Sequence, residues 1–417
     1  AEHRHHPSII FWGLGNELDW ESDHPETSDD DVLAFLQELH DLSHALDPTR
    51  LTALRRYERG ATVVDVYSPS IWSGWYRGRY EDYALALTAA QAQYPRLLHM
   101  EWGGDSHVGR YNDGPHLRHE LRQESDHAEQ DGLAYSDEGF ARASRDSDWS
   151  ESYILDLMAW HLRVQQAQPK LAGTAQWAFK DFGTPLRPEN PIPYVNQKGL
   201  VDRANRPKSL YYLFQAAQTA TPVCRLEAHD WPLRTGEPTA EQRVRVITNC
   251  ATVELFVNGR AQGIVTEGWL RSWHVALQVG VNELHAVGRS AEGRLVEDHA
   301  TQTLVQPGGG APARWLLTTE PATWRGQPVQ RLMVQLATVD GTPLVGPEQR
   351  VTFRVTGGAG RLLCDLGTFD GSATIETANG RAAILLAALG EADVIVSVSC
   401  AAFAATEWII NRVEESA

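Results

Sequence analysis

Residues 6–17, His-Pro-Ser-Ile-Ile-Phe-Trp-Gly-Leu-Gly-Asn-Glu (HPSIIFWGLGNE), decide how the chain is read. Ser8 to Gly15 is an apolar run too short for a helix and without polar alternation, as in a strand buried on both faces. It ends on Asn16-Glu17, so a carboxylate stands at the C-terminal end of a buried strand. Working outward, a polar loop leads to a helix over about 31–46. Its apolar positions Val32, Phe35, Leu36, Leu39, Leu42 and Leu46 form a 3.6-residue stripe. Asp29 and Asp30 suit its positive N-terminal end and Pro48 ends it.

The same texture continues to about residue 218. Short strands are expected at 51–54, 63–67, 96–102 and 171–179, and helices at 81–94 and 151–166. Strands alternating with helices imply a mostly parallel sheet covered by helices, either doubly wound or a (β/α)₈ barrel. No G-x-G-x-x-G follows any of these strands, which weakens the dinucleotide-binding version. Residues 105–149 read as an acidic insertion containing glycine and histidine. After Thr221-Pro222 the period changes to two, as in Gln242–Ile247 and Val253/Leu255/Val257, with Asn258-Gly259 a strong hairpin turn. Residues 219–306 therefore read as a small sandwich, 307–312 as a Gly/Pro linker, and 313–417 as a second sandwich.

The chain has 417 residues, with 37 Lys and Arg against 54 Asp and Glu, a net charge of −17. Hydrophobic residues make up 42%, which excludes wholesale disorder. No run approaches the ~18–20 apolar residues of a membrane-spanning helix, and the acidic balance argues against a nucleic-acid partner. Cys224, Cys250, Cys364 and Cys400 form no CxxC and read as small buried side chains, with one disulfide in an exported protein left open.

A second carboxylate repeats the first arrangement. Glu101 follows Arg-Leu-Leu-His-Met and precedes Trp102-Gly103-Gly104. Strand C-termini line the active-site mouth of parallel α/β folds, and an unpaired carboxylate among apolar residues is costly. Two such groups are what two-carboxylate hydrolysis requires.

HPSIIFWGLGNE resembles the acid/base signature of glycoside hydrolase family 2, which includes β-galactosidases, β-glucuronidases and β-mannosidases. GTAQWAFKDF (173–182), then NQKGLVDR, Pro207-Lys208 and Tyr211-Tyr212, resembles the last barrel strand and exit of that family's catalytic domain. The resemblance implies a multi-domain chain: the C-terminal five strands (4 to 8) of a (β/α)₈ TIM barrel over 1–218, followed by two immunoglobulin-like β-sandwiches. Glu17 then ends strand 4 as acid/base and Glu101 ends strand 7 as nucleophile, in a retaining β-glycosidase with carboxyl groups about 5–5.5 Å apart. The resemblance also implies that Asn16 bonds the sugar 2-hydroxyl and that Trp177 is a platform for a pyranose. Tyr67, Trp72 and Trp102 are further substrate-binding candidates. Ser70-Ile71-Trp72 stands where relatives often carry Asn-x-Tyr, and Tyr67 or Tyr76 is the candidate replacement. Asn196 and Lys198 match the Asn-x-Lys with which β-glucuronidases of the family bind the sugar carboxylate.

The expected activity is that of a retaining, exo-acting, β-galactosidase-like enzyme on oligosaccharide or polysaccharide-derived substrate. The alternatives are a uronic-acid β-glycosidase and an inactive fragment or carbohydrate-binding module. No cofactor is expected, although some relatives use Mg²⁺ or Na⁺, and an oligomer stays open. His3, His5 and His6 read as the polar entry to the first strand, and His107, Arg110, His116 and His119 as rim residues setting leaving-group preference. Because barrel strands 1 to 3 have no counterpart before Ala1, the 417-residue chain alone is expected to fold poorly or to be inactive.

Overall fold

The computed structural model describes residues 2–19, 26–113, 143–187, 190–238, 240–306, 310–346, 348–363, 373–390 and 392–411. The chain divides into two compact units. One comprises 1–104, 117–148 and 157–178, the other 105–116, 149–156 and 179–417.

The first unit is built on a five-stranded parallel sheet, in chain order β1 (Phe11–Asn16), β2 (Leu51–Arg55), β3 (Val66–Ser68), β4 (Leu97–Trp102) and β5 (Leu171–Gln176). Helices α1 (Asp29–Leu46) and α2 (Tyr83–Gln93) connect its strands. Helix α1 begins two residues before the expected start because Ser28 and Asp31 form a reciprocal capping box. Alternation along the strands sorts two apolar layers. Ala53, Val66 and Leu98 pack on one face with Phe11 and Met100. On the other, Leu54, Tyr67 and Leu97 pack with Leu36 of α1 and with Tyr83 and Leu87 of α2. A third helix, α3 (Ala143–Asp146), and a fourth, α4 (Glu151–Gln166), precede β5. Near the strand ends Gly103, at φ 140°, permits a close approach. A Cβ there would meet Met158 Cε at 2.7 Å and the Trp177 carbonyl at 3.2 Å.

The second unit carries a short hairpin, β6 (Phe182–Gly183) with β7 (Val195–Asn196), and helix α5 (Ser209–Gln218). It also carries two two-sheet sandwiches. The first comprises β8 (Cys224–Leu226), β9 (Leu233–Thr235), β10 (Glu241–Thr248), β11 (Thr252–Val257), β12 (Arg260–Val265), β13 (Leu270–Ala276), β14 (Gly280–Arg289) and β15 (Leu295–Val305). Its sheets, ordered 13-10-8 and 12-11-14-15-9, enclose Leu226, Val246, Leu255, Trp273 and Leu284. The Asn258-Gly259 turn joins β11 to β12, both residues at positive φ. The second sandwich comprises β16 (Arg314–Trp324), β17 (Gln327–Ala337), β18 (Arg350–Gly357), β19 (Gly360–Leu362), β20 (Thr374–Glu376), β21 (Arg381–Ala388), β22 (Val394–Ser399) and β23 (Thr406–Ile410). Its sheets, 16-17-21-19 and 20-18-22-23, enclose Leu332, Leu336, Phe353, Leu386 and Val396.

Residues 105–112 are tied to this second sandwich. The Arg110 guanidinium donates to Glu376 Oε1 at 2.8 Å and to the Thr377 carbonyl at 2.6 Å. Asn379 exchanges two hydrogen bonds with the Tyr111 backbone, at 2.7 and 2.8 Å. His107 Nε2 donates to the Glu376 carbonyl. The expectation that His107 and Arg110 form a rim is corrected, since both are buried and bonded to the edge of the second sandwich. His116 and His119 lie outside the described residues.

Cys224, Cys250 and Cys400 are free thiols. Burial pushes the Cys224 thiol up to about 12, so it is an inert packing group. Cys364 and linker residues 307–309 lie outside the described residues.

Candidate active site

Strand β1 ends at Asn16 and its continuation curls over β2, where the Glu17 amide donates to the Arg55 carbonyl at 3.1 Å. Glu17 adopts φ 55° and Glu101, at the end of β4, φ 64°. Non-glycine residues rarely occupy this left-handed region, and the cost of order 1–3 kcal/mol is characteristic of functional sites. Both expected carboxylates therefore sit in the same uncommon backbone state at the C-terminal ends of two parallel strands.

Arg55, the last residue of β2, joins them. Its NH1 lies 2.6 Å from Glu17 Oε1 and 2.8 Å from Glu101 Oε2. One nitrogen touches both groups, so the two oxygens cannot be farther apart than these contacts laid end to end. That upper limit is compatible with the ~5–5.5 Å spacing of retaining glycosidases. The guanidinium is 3% exposed and also donates to Asn16 Oδ1 at 3.1 Å and Ser70 Oγ at 3.2 Å. Arg56 adds a weaker contact to Glu17 at 3.5 Å and one to Asp19 at 3.3 Å. Sequence reading missed both arginines. The signal was there: Leu-Thr-Ala-Leu-Arg-Arg ends a buried strand on two cations, which need anionic partners at that place.

Beneath Glu101 lies a polar, desolvated layer. His99 is fully buried, its Nε2 donating to the Ile71 carbonyl at 3.1 Å and its Nδ1 facing the Tyr83 hydroxyl at 2.7 Å. A carbonyl only accepts, so the proton sits on Nε2 and Tyr83 donates to Nδ1. Burial holds His99 at about 3, helped by the Arg55 charge.

The aromatic candidates divide. Trp177, just past β5, is 41% exposed, and its amide donates to the Trp102 carbonyl at 3.0 Å. Trp72 is largely buried, its ring 5.0 Å from that of Tyr76 in an edge contact. Tyr67 is a correction. It points to the helix-facing side of β3 and packs on Tyr94 at 4.6 Å, because its neighbour Val66 takes the opposite face. Trp102 is a second correction: it is 1% exposed, 5.7 Å from His161 and 6.3 Å from His99, and presents no face to a sugar.

In the second unit Asn196 and Lys198 are buried rather than solvent-facing. Asn196 Oδ1 accepts from the Lys198 amide at 3.2 Å, and Lys198 Nζ pairs with Asp105, itself four residues after Glu101 in the chain. Lys208 makes a parallel pair with Asp181 at 2.9 Å and also donates to the Gln197 carbonyl at 2.8 Å. Among the described residues two His/Asp/Glu groups have metal-like spacing, His40/His44/Asp65 and His285/Glu297/His299, and neither includes Glu17 or Glu101.

Residues 1–221 match the family described as glycosyl hydrolases family 2, TIM barrel domain. The chain belongs to glycosyl hydrolase family 2. Residues 240–297 match a domain of unknown function, DUF4982. A Formosa agariphila protein named "Putative beta-glucuronidase" is 41% identical over 386 residues, 91% of this chain and 46% of its own length. The Parabacteroides merdae β-glucuronidase structure shares 38% identity with a TM-score of 0.84, covering 99% of this chain and 52% of that one. Bacteroides uniformis β-glucuronidase 3 shares 40% identity with a TM-score of 0.83, covering 98% and 51%. The family 2 chain thus spans about half the length of these relatives.

Proposed function

We propose that the protein is a retaining β-glucuronidase, releasing terminal β-linked uronic acid from oligosaccharides. The observation that carries the chemistry is the Glu17–Arg55–Glu101 bridge. In this reading β1 to β5 are the fourth to eighth barrel strands, and the sandwiches at 219–306 and 313–417 are immunoglobulin-like accessory domains.

Glu101, ionised beside Arg55, attacks the anomeric carbon. The glycosidic C–O bond breaks as Glu17 gives its proton to the departing oxygen, leaving a glycosyl ester on Glu101. Glu17 then takes a proton from water, which displaces Glu101 and restores both groups. Asn16, held through its Oδ1 by Arg55, keeps an amide N–H to offer the sugar 2-hydroxyl. Trp177 supplies an exposed ring face.

The uronic-acid reading displaces the β-galactosidase-like one on two grounds. The three relatives above carry β-glucuronidase names. Asn196 and Lys198 also keep the Asn-x-Lys pattern with which β-glucuronidases of the family bind the sugar carboxylate, a lysine and an amide being suited to that group.

The test is a panel of nitrophenyl β-glycosides on the full-length protein. Release from the glucuronide is expected, and release from the galactoside alone would overturn the substrate. Glu101→Ala should lose nearly all turnover, with azide restoring it as a glycosyl azide of inverted configuration. Wild-type-like hydrolysis by that variant would end the mechanism.

A further inference from the structure

The tip of the β16–β17 hairpin carries a tryptophan outside any apolar core. Trp324 closes the hairpin opposite Gln327, and Arg325 and Gly326, at φ 49° and 77°, form the two-residue turn. The indole is only partly buried. Lys180 Nζ lies 6.0 Å from its ring and the Arg325 guanidinium 5.9 Å, both at cation–π range.

These groups line a cavity of about 450 Å³ together with Phe182, Arg203 and Asp181. That volume lies within the range of small-ligand sites and exceeds one pyranose. Among the described residues the single carboxylate on its wall, Asp181, is already paired with buried Lys208 at 2.9 Å. Among the described residues neither Lys180 nor Arg325 makes an ion pair. Lys180 donates instead to neutral Asn205 Oδ1 at 2.7 Å. On a chain of net charge −17 this is a local positive excess around an aromatic face. A purely structural tryptophan would be packed in apolar side chains, and a purely solvating face would carry carboxylates beside its cations.

We propose that this pocket binds an anionic sugar residue of a glycan chain, distinct from the residue cleaved at Glu17 and Glu101. The indole takes the apolar C–H face of the pyranose. Lys180 and Arg325 meet its carboxylate or sulfate. This rests on the glycosidase reading above, and the measurement keeps the two separate.

Calorimetric titrations use full-length Glu101→Gln protein, so that no glycan is consumed, with three hexasaccharides: hyaluronan-derived, chondroitin-sulfate-derived and neutral laminarihexaose. Binding of an anionic hexasaccharide but not the neutral one is expected. Trp324→Ala should weaken it about 10-fold, the scale of one lost ring stack. Arg325→Asn, which tolerates the left-handed turn, should weaken it several-fold, and the difference should shrink in 0.5 M salt. Preference for the sulfated over the non-sulfated glycan assigns sulfate as the recognised group, and the reverse assigns the carboxylate. In the otherwise wild-type protein, nitrophenyl glucuronide turnover should stay within twofold in both variants. Equal binding of laminarihexaose, no binding of either anion, or binding indifferent to Trp324→Ala overturns the proposal. Absence of glucuronide turnover in the wild type would instead overturn the catalytic reading.

Discussion

Replacing Arg55 with methionine keeps a long side chain at a buried position and removes the charge that joins Glu17 to Glu101. The wild-type guanidinium nitrogen lies 2.6 and 2.8 Å from the two carboxylates. Each charge-assisted hydrogen bond contributes about 1.5–3 kcal/mol. Without the cation, two carboxylates ~5 Å apart repel by about 3 kcal/mol at an effective dielectric of ~20, which disfavours the ionised nucleophile. Loss of both contacts should lower kcat/KM by ~10²–10⁴-fold, taking about 1.4 kcal/mol per factor of ten. Arg55→Lys keeps the charge but not the fork, and should fall between the two. The assay is initial-rate hydrolysis of nitrophenyl β-glucuronide by full-length protein, well below the thermal midpoint of each variant. A folded Arg55→Met enzyme within threefold of wild type would refute the bridging role.

Three further outcomes follow from buried polar groups and the core. His99, held at about 3 by burial, refuses a proton that the unfolded chain accepts near 6.5, so stability should fall as pH drops from about 6.5 toward 3. The slope is about 1.4 kcal/mol per pH unit for this histidine, and His99→Gln should flatten it in urea melts at pH 7, 6 and 5; an unchanged slope contradicts the assignment. Lys198→Met should cost about 3–5 kcal/mol because Asp105 stays buried without its partner. Adding Asp105→Asn should recover most of that loss in a double-mutant cycle, and strict additivity would deny the coupling. Leu54→Ala, at a fully buried position under α1, should cost about 2–5 kcal/mol by chemical denaturation.

Much of the barrel-type unit was legible because each element advertises its own period. The stripe at Val32, Leu36 and Leu39 marks α1, and the apolar runs before Glu17 and Glu101 mark strands that end on carboxylates. What the pattern hid was the direction of single side chains and the identity of distant partners. Tyr67 is an aromatic on the right strand but one residue out of phase with the carboxylate face. Trp102 follows the nucleophile candidate and still turns inward to two buried histidines. His107 and Arg110 look like loop residues until Glu376, Thr377 and Asn379 are placed beside them, some 270 positions away in the chain. No local signal carries that information. The Arg55-Arg56 pair is different, since a cation ending an apolar strand could have been read as a demand for the two glutamates.

The tie between residues 107–111 and the 376–379 edge of the second sandwich bears on how such a protein can change over time. A β-sandwich with its own core is ordinarily an interchangeable cassette. Here an exchange that omits partners for Arg110 would strand a buried guanidinium in the segment just downstream of β4. The second sandwich and that segment must therefore be inherited together. Recombination is expected to keep them as one block, even though more than 250 residues separate them in the gene.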